Sequence, residues 1–227
     1  MSVSVLDREM FTEAEAARLL RVAQGTLHYW LEGGEQRGKT YRPVIREQPR
    51  GGRDVVTWAE FVEAGLLREY RRTHGVPMPE LRAFIDLVRA RYRVPYPLAD
   101  RRPYVSGREL LVEAQDKSGL APEFCLVAEV RGQYVLTPPA DSFFKRVTWH
   151  DDIAAEWRPH NDPLSPVRMN PEIRFGRPAV AGISTEVLWE HDQAGESADE
   201  IAAEFELPGD TVRWALAYET SARARAA

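Results

Sequence analysis

Three places in the chain put a histidine beside carboxylates: His150 with Asp151 and Asp152, His160 with Asp162, and His191 with Asp192. Such groups can ligate a metal or exchange protons. None of them, however, has the i, i+4 helical spacing or the paired cysteines that make a metal centre convincing, and surface residues bonded to water or to their neighbours account for them. Gly33-Gly34 and Gly51-Gly52 lack the strand, helix and lysine of a phosphate-cradling loop, and no nucleophile elbow is present. The expectation is a protein that is not an enzyme, with no cofactor and no metal.

A second set of side chains suits a polyanion. Arg37, Lys39, Arg42, Arg46, Arg50 and Arg53 occur in a stretch without helical period, interleaved with Tyr41, Val44, Ile45, Val55 and Val56. That pattern reads as a β-hairpin with a basic edge, able to lie along phosphates and release counterions. Just upstream, Gln24, Thr26, His28 and Tyr29 fall in a short segment whose amide and hydroxyl groups suit base edges in a major groove, Gln24 and Thr26 above all. The expected DNA contacts are therefore Gln24, Thr26, His28 and Tyr29, with Arg37, Lys39, Arg42 and Arg46 supplying sequence-independent affinity.

The elements that would position these groups can be read from caps and periodicity. Thr12 and Glu15 have capping-box spacing, and Ala16, Ala17, Leu20 and Val22 form an apolar face behind them. A second helix starts near Ala23, carries Leu27 and Trp30 and stops at Gly33 and Gly34. Two short helices joined by a tight turn have helix-turn-helix geometry. Thr57 with Glu60 opens a further helix bearing Trp58, Phe61, Val62, Leu66 and Tyr70, stopped by His74 and Gly75. Pro79 then sits in the first turn of a helix with Leu81, Phe84, Ile85 and Val88, running to Tyr92.

Glu9 to Tyr92 resembles the MerR-like winged helix-turn-helix, in the run Phe11-Thr12, Ala16-Ala17-Arg18-Leu19-Leu20, Val22, Thr26-Leu27-His28-Tyr29-Trp30, the helix from Trp58 to Arg72 and the Gly75-Val76-Pro77 turn. Ala23 stands where that family has a small polar cap, and His28 where a basic residue is typical.

The 227 residues suit two or three small domains, and 29% charged with 44% hydrophobic residues is an ordinary globular composition. No apolar run reaches the roughly 20 residues that span a bilayer, and Met1 to Met10 lacks signal-peptide character, so the expected location is the cytoplasm. Cys125, flanked by Phe124 and Leu126, reads as a buried small hydrophobe. The net charge of −5 hides an asymmetry: Met1 to Arg102 holds 18 basic against 14 acidic residues, net +4, and the remainder 12 against 21, net −9. The basic part suits nucleic acid and the acidic part a protein partner.

Tyr96 to Pro103 reads as a connector, followed by strands at Glu109–Glu113, Phe124–Val130 and Gln133–Thr137, with another near Lys145–Trp149. Beyond Val167 lies a rigid irregular run, Pro171-Glu172-Ile173-Arg174-Phe175-Gly176-Arg177-Pro178. A helix from about Thr185, a break at Ala194-Gly195-Glu196, a capping box of Ser197 with Glu200, and a last helix carrying Val212, Ala215, Leu216 and Tyr218 complete a three-helix unit. This stretch closely resembles the bacterial domain of unknown function four-three-three, in the lead Pro171 to Pro178, the turn Gly182-Ile183, Ala194 to Ser197 and Ala215 to Glu219. The resemblance implies a VapB-type antitoxin made beside a PIN-domain ribonuclease toxin. It also makes Arg174 and Arg177 candidate partner-binding residues, as cations able to pair with the toxin's clustered carboxylates.

The expected fold is α+β: a winged helix-turn-helix over 1–97, a β-rich linker over 98–165 and a helical antitoxin-type domain over 166–227. The expected role is a type II antitoxin that neutralises the toxin and binds double-stranded operator DNA to autoregulate transcription, as a homodimer or a hetero-oligomer with toxin. The alternative is a MerR-like regulator sensing a small molecule through the β-rich middle.

Overall fold

The structure is a computed structural model that describes residues 4–36, 38–52, 54–73, 77–101, 112, 115–119, 127–130, 133–136, 138–160 and 162–224. Arg37, Arg53, His74, Gly75, Cys125, the strand expected at Glu109–Glu113 except for residue 112, and the first three residues of Phe124–Val130 lie outside the described residues. The architecture is α+β, with helices and short antiparallel strand pairs. The chain divides into two compact units, one of 1–145 with 149–154 and one of 146–148 with 155–227.

In the first unit, Thr12 caps α1 (Glu13–Leu20) by accepting the Glu15 N–H at 3.2 Å. The preceding strand β1 (Glu9–Thr12) pairs antiparallel with β4 (Val55–Thr57), Phe11 opposite Val56. Arg21 takes the left-handed conformation, φ 56°, and turns the chain into α2 (Gln24–Glu32). Gly33, φ 76°, ends α2 where a Cβ would come within 2.2 Å of the Tyr41 carbonyl oxygen, so only glycine fits. The hairpin that follows is short: β2 (Gly34–Gln36) pairs with β3 (Lys39–Tyr41). Pro43, Val44 and Ile45 then dive inward, and the amides of Val44 and Ile45 donate to the Trp30 carbonyl. The expected basic hairpin edge therefore stops at Tyr41, because β4 pairs with β1 instead of extending the hairpin.

A full capping box of Thr57 and Glu60 starts α3 (Trp58–Thr73), and α4 (Met78–Tyr92) begins with proline in its first turn. The apolar face of α3 packs on α1 and α2, and Leu20, Leu27, Leu31, Ile45, Val56, Trp58, Phe61 and Leu66 are buried, as are Phe84 and Ile85 of α4. Phe61 lies 4.7 Å from Phe11 and 5.9 Å from Trp58, ring to ring. The middle of the chain adds a hairpin, β5 (Val127–Val130) with β6 (Gln133–Leu136), and a helix not expected from the sequence, α5 (Pro138–Phe144). A second hairpin, β7 (Val147–His150) and β8 (Ile153–Trp157), turns at Asp151 and Asp152, both at positive φ.

In the second unit Trp157 bridges Met169, and Arg168 bridges Ala179 in β9 (Ala179–Val180), which pairs with β10 (Ile183–Ser184). Three helices follow: α6 (Thr185–Gln193), α7 (Ala198–Glu204) and α8 (Gly209–Arg223). They close over Val167, Val180, Leu188, Ile201, Val212, Ala215 and Tyr218. The buried Thr185 hydroxyl donates to Glu219 at 2.6 Å and ties α6 to α8. At the start of α7, Ser197 and Glu200 satisfy each other's backbone amides. The Ser197 hydroxyl also donates to the Glu200 carboxylate at 2.7 Å, and this bond first, with that of the Ser197 amide, holds the carboxyl below its ordinary pKa, so this contribution is present above the usual carboxylate range and fades as pH falls. Ser197→Ala should lower the melting midpoint by about 2–4 °C, read by circular dichroism at neutral pH.

Candidate nucleic-acid interface and partner loop

The first turn of α2 faces solvent. Ala23, Gln24, Gly25 and Thr26 are all exposed, no side chain caps the helix, and the Thr26 amide donates to the Ala23 carbonyl at 2.9 Å, so the amides of Gln24 and Gly25 and the positive end of the dipole face an anion. His28, its side chain 55% exposed, is tied back to α1: Nδ1 lies 2.9 Å from Oε2 of Glu13, which is itself buried. Tyr29 is half-buried. Its hydroxyl accepts from Arg82 at 3.3 Å and its ring packs edge-on against Tyr41, so it braces α2 against the hairpin and α4. Beside α2 lies a cavity of about 640 Å³ whose walls include Thr26, Tyr29, Arg68 and Arg71.

Among the expected phosphate contacts, Lys39 is exposed at the start of β3 and Arg42 just past its end, the latter with an exposed ion pair to Asp86 at 3.3 Å. Arg37 lies outside the described residues. Arg46 is a correction. It is 4% exposed, and its guanidinium donates to Glu60 through Nε at 2.8 Å, to the Val55 carbonyl at 2.7 Å and to Glu32. Burial opposes its charge, but the bonds and charges of Glu60 and Glu32 outweigh that and hold its pKa above the ordinary arginine value. Arg46 is a core ion-pair residue and leaves the set of candidate contacts. Glu32 in turn sits below the usual carboxylate range: burial works against this, and the amides of Gly51 and Arg50 together with Arg46 prevail.

In the second unit Arg174 and Arg177 are both exposed on the loop joining Asn170 to Pro178. Arg174 Nε donates to the Gly182 carbonyl at 2.9 Å, so this arginine braces the loop as well as presenting charge. Asn170 organises the same loop: its carbonyl accepts from Ile173 and Gly176, and its Oδ1 accepts from Glu172 at 2.8 Å.

Sequence reasoning passed over one further cluster. His191 meets Glu196 at 2.9 Å and Glu204 at 3.7 Å, not its neighbour Asp192, and one potential ligand atom from each lies within 4.8 Å of the others. These are the residues that could hold a divalent ion among those described. The hydrogen bond to Glu196 is the main reason the His191 pKa lies above the ordinary imidazole value. The signal was present in the break at Ala194-Gly195, which folds α7 back beside the end of α6.

No helix among the described residues is long and apolar enough to cross a membrane. Residues 167–218 match the family described as "Protein of unknown function (DUF433)". A protein of Mycobacterium tuberculosis named "Putative antitoxin VapB45" is 26% identical over 92% of this chain and 93% of its own length. The crystal structure of Rv2018 from the same organism, 25% identical, superposes with a TM-score of 0.74 over 93% of this chain and 99% of that one. The uncharacterized protein Rv2308 of M. tuberculosis is 31% identical over 96% of this chain and 93% of its own, and the chain belongs to the same family as Rv2308.

Proposed function

We propose that this chain is the antitoxin of a type II toxin–antitoxin pair, acting without catalysis of its own. In this reading residues 1–97 form a MerR-like winged helix-turn-helix that binds operator DNA, residues 98–165 connect, and residues 166–227 engage a PIN-domain ribonuclease toxin. The observation that carries the reading is the similarity, over nearly the whole of both chains, to a protein named as an antitoxin, together with the family match at 167–218.

The geometry of the first unit supports the DNA part. The uncapped start of α2 offers open amides to a phosphate, and Gln24 and Thr26 stand beside it with room to reach base edges. With Nδ1 of His28 engaged by Glu13, Nε2 is the ring atom left for DNA. Lys39 and Arg42 supply phosphate contacts. The exposed Arg42–Asp86 pair contributes little to stability, so exchanging it for a phosphate costs little. As in related motifs, operator reading calls for two-fold symmetry and hence a dimer.

Binding of the full-length protein to its own upstream DNA, followed by fluorescence anisotropy across salt concentrations, tests the interface. Lys39→Ala with Arg42→Ala should weaken binding to all sequences alike and reduce the salt slope by about 0.9 per lost contact. An unchanged slope would remove the hairpin from the interface. Gln24→Ala should instead weaken operator binding more than binding to unrelated DNA.

A further inference from the structure

Phe175 is the most exposed large hydrophobic residue among those described, at 81%, with Ile173 two residues away at 41%. Burial is the usual fate of such a ring, and its exposure is not a matter of a slack loop. Asn170, Ile173 and Arg174 fix the turn through backbone bonds to Ile173, Gly176 and Arg177, and Arg174 ties it to Gly182. The backbone is also held in an unfavourable form: Arg174 and Phe175 are consecutive left-handed residues, φ 50° and 54°, a conformation that L side chains rarely adopt. A strained turn, pinned by backbone bonds on either side of Phe175, that leaves an aromatic ring exposed and flanks it with two exposed arginines has the composition of an interface anchor, where aromatic and arginine side chains carry most of the energy.

We propose that Phe175 is the anchor through which this protein docks a partner protein, seating its ring in an apolar pocket rimmed by carboxylates that pair with Arg174 and Arg177. The occupant is the toxin, so the proposal rests on the antitoxin reading. Charge complementarity selects it: the flanking groups are cations, and a metal-dependent ribonuclease carries clustered carboxylates at its cleft. Because the turn is already ordered, docking does not have to freeze it, which favours slow dissociation.

The test uses the full-length protein and the purified product of the neighbouring toxin reading frame, with affinity from surface plasmon resonance and stability from thermal melts of each variant alone. Phe175→Ala should weaken toxin binding by about 30-fold or more, chiefly through a faster off-rate, with the fold intact. Phe175→Gly should weaken binding at least as much while raising the melting temperature, since glycine accepts the left-handed conformation. Together, weaker binding and higher stability separate an anchor from a packing residue. Wild-type affinity in both variants would overturn the proposal while leaving the antitoxin reading standing. A wild-type protein that does not bind the toxin at all would overturn the antitoxin reading and this proposal with it. Loss of self-association in Phe175→Ala without loss of toxin binding would assign the ring to a second copy of this chain and overturn the proposal as stated.

Discussion

Replacing Arg46 by Met should destabilise the first unit by about 3–5 kcal/mol, a large part of the stability of a domain this size. The side chain it removes is 2% exposed and faces Glu60, whose side chain is fully buried. Truncation leaves the Glu60 carboxylate with Arg50 at 3.3 Å as its remaining cation and takes a donor from Glu32 and from the Val55 carbonyl. A carboxylate that has lost its principal counter-charge inside the protein costs far more than the ion pair contributes net, which is why removing one partner is the damaging change. Adding Glu60→Gln should recover more than half of the loss. Glutamine keeps an acceptor for the Thr57 amide, which starts α3, and carries no charge to strand. Guanidinium unfolding followed by tryptophan fluorescence gives both numbers. A single variant within about 1 kcal/mol of wild type would show that Arg46 is not held as described.

The second large effect is a pH slope. Glu63 is buried, accepts the Leu98 amide at 2.8 Å, and has its carboxyl pushed up to about 8, chiefly by burial. Arg89 and the Leu98 amide pull the other way, and the charge of Glu60 adds to the rise. Below the ordinary value of 4.5 both folded and unfolded chains hold the proton. Between 4.5 and 8 the unfolded chain releases it and the folded chain does not, so stability falls as pH rises through that window. The ceiling on this loss is on the order of 5 kcal/mol. Glu63→Gln cannot ionise and keeps the oxygen that faces Leu98. Relative to wild type it should therefore gain on the order of 3 kcal/mol between pH 5 and pH 8, whatever the cost of its extra donors. Parallel unfolding curves at the two pH values check this, and equal slopes for the two proteins would contradict it.

Much of both units was legible in local chemistry. Thr12, Thr57 and Ser197 mark helix starts because a hydroxyl three residues before a carboxylate satisfies amides that nothing else reaches. Gly33 marks a stop because only glycine fits against the Tyr41 carbonyl. The open face of Gln24 and Thr26 followed from where α2 had to begin.

Arg46 could not be placed in this way. Lys39 and Arg42, which precede it in the charge run, are exposed, and its burial is decided by Glu32 and Glu60, each 14 residues away, whose arrival depends on how α2 and α3 pack. The apolar pair Val44-Ile45 just before it was the one local hint. Helix α5 was missed although Pro138 after Thr137 is a recognisable helix opening, because short strands dominate its surroundings. The exposed ring of Phe175 had no sequence signal either, since hydrophobic residues are expected inside and only the turn at Asn170 turns this one outward.

The antitoxin reading is tested most directly by the ribonuclease activity of the neighbouring toxin, measured on an RNA substrate with increasing amounts of the full-length protein. The account predicts that cleavage falls to background near one equivalent and that added divalent metal does not restore it. Cleavage that continues unchanged at a many-fold excess of this protein would contradict the account.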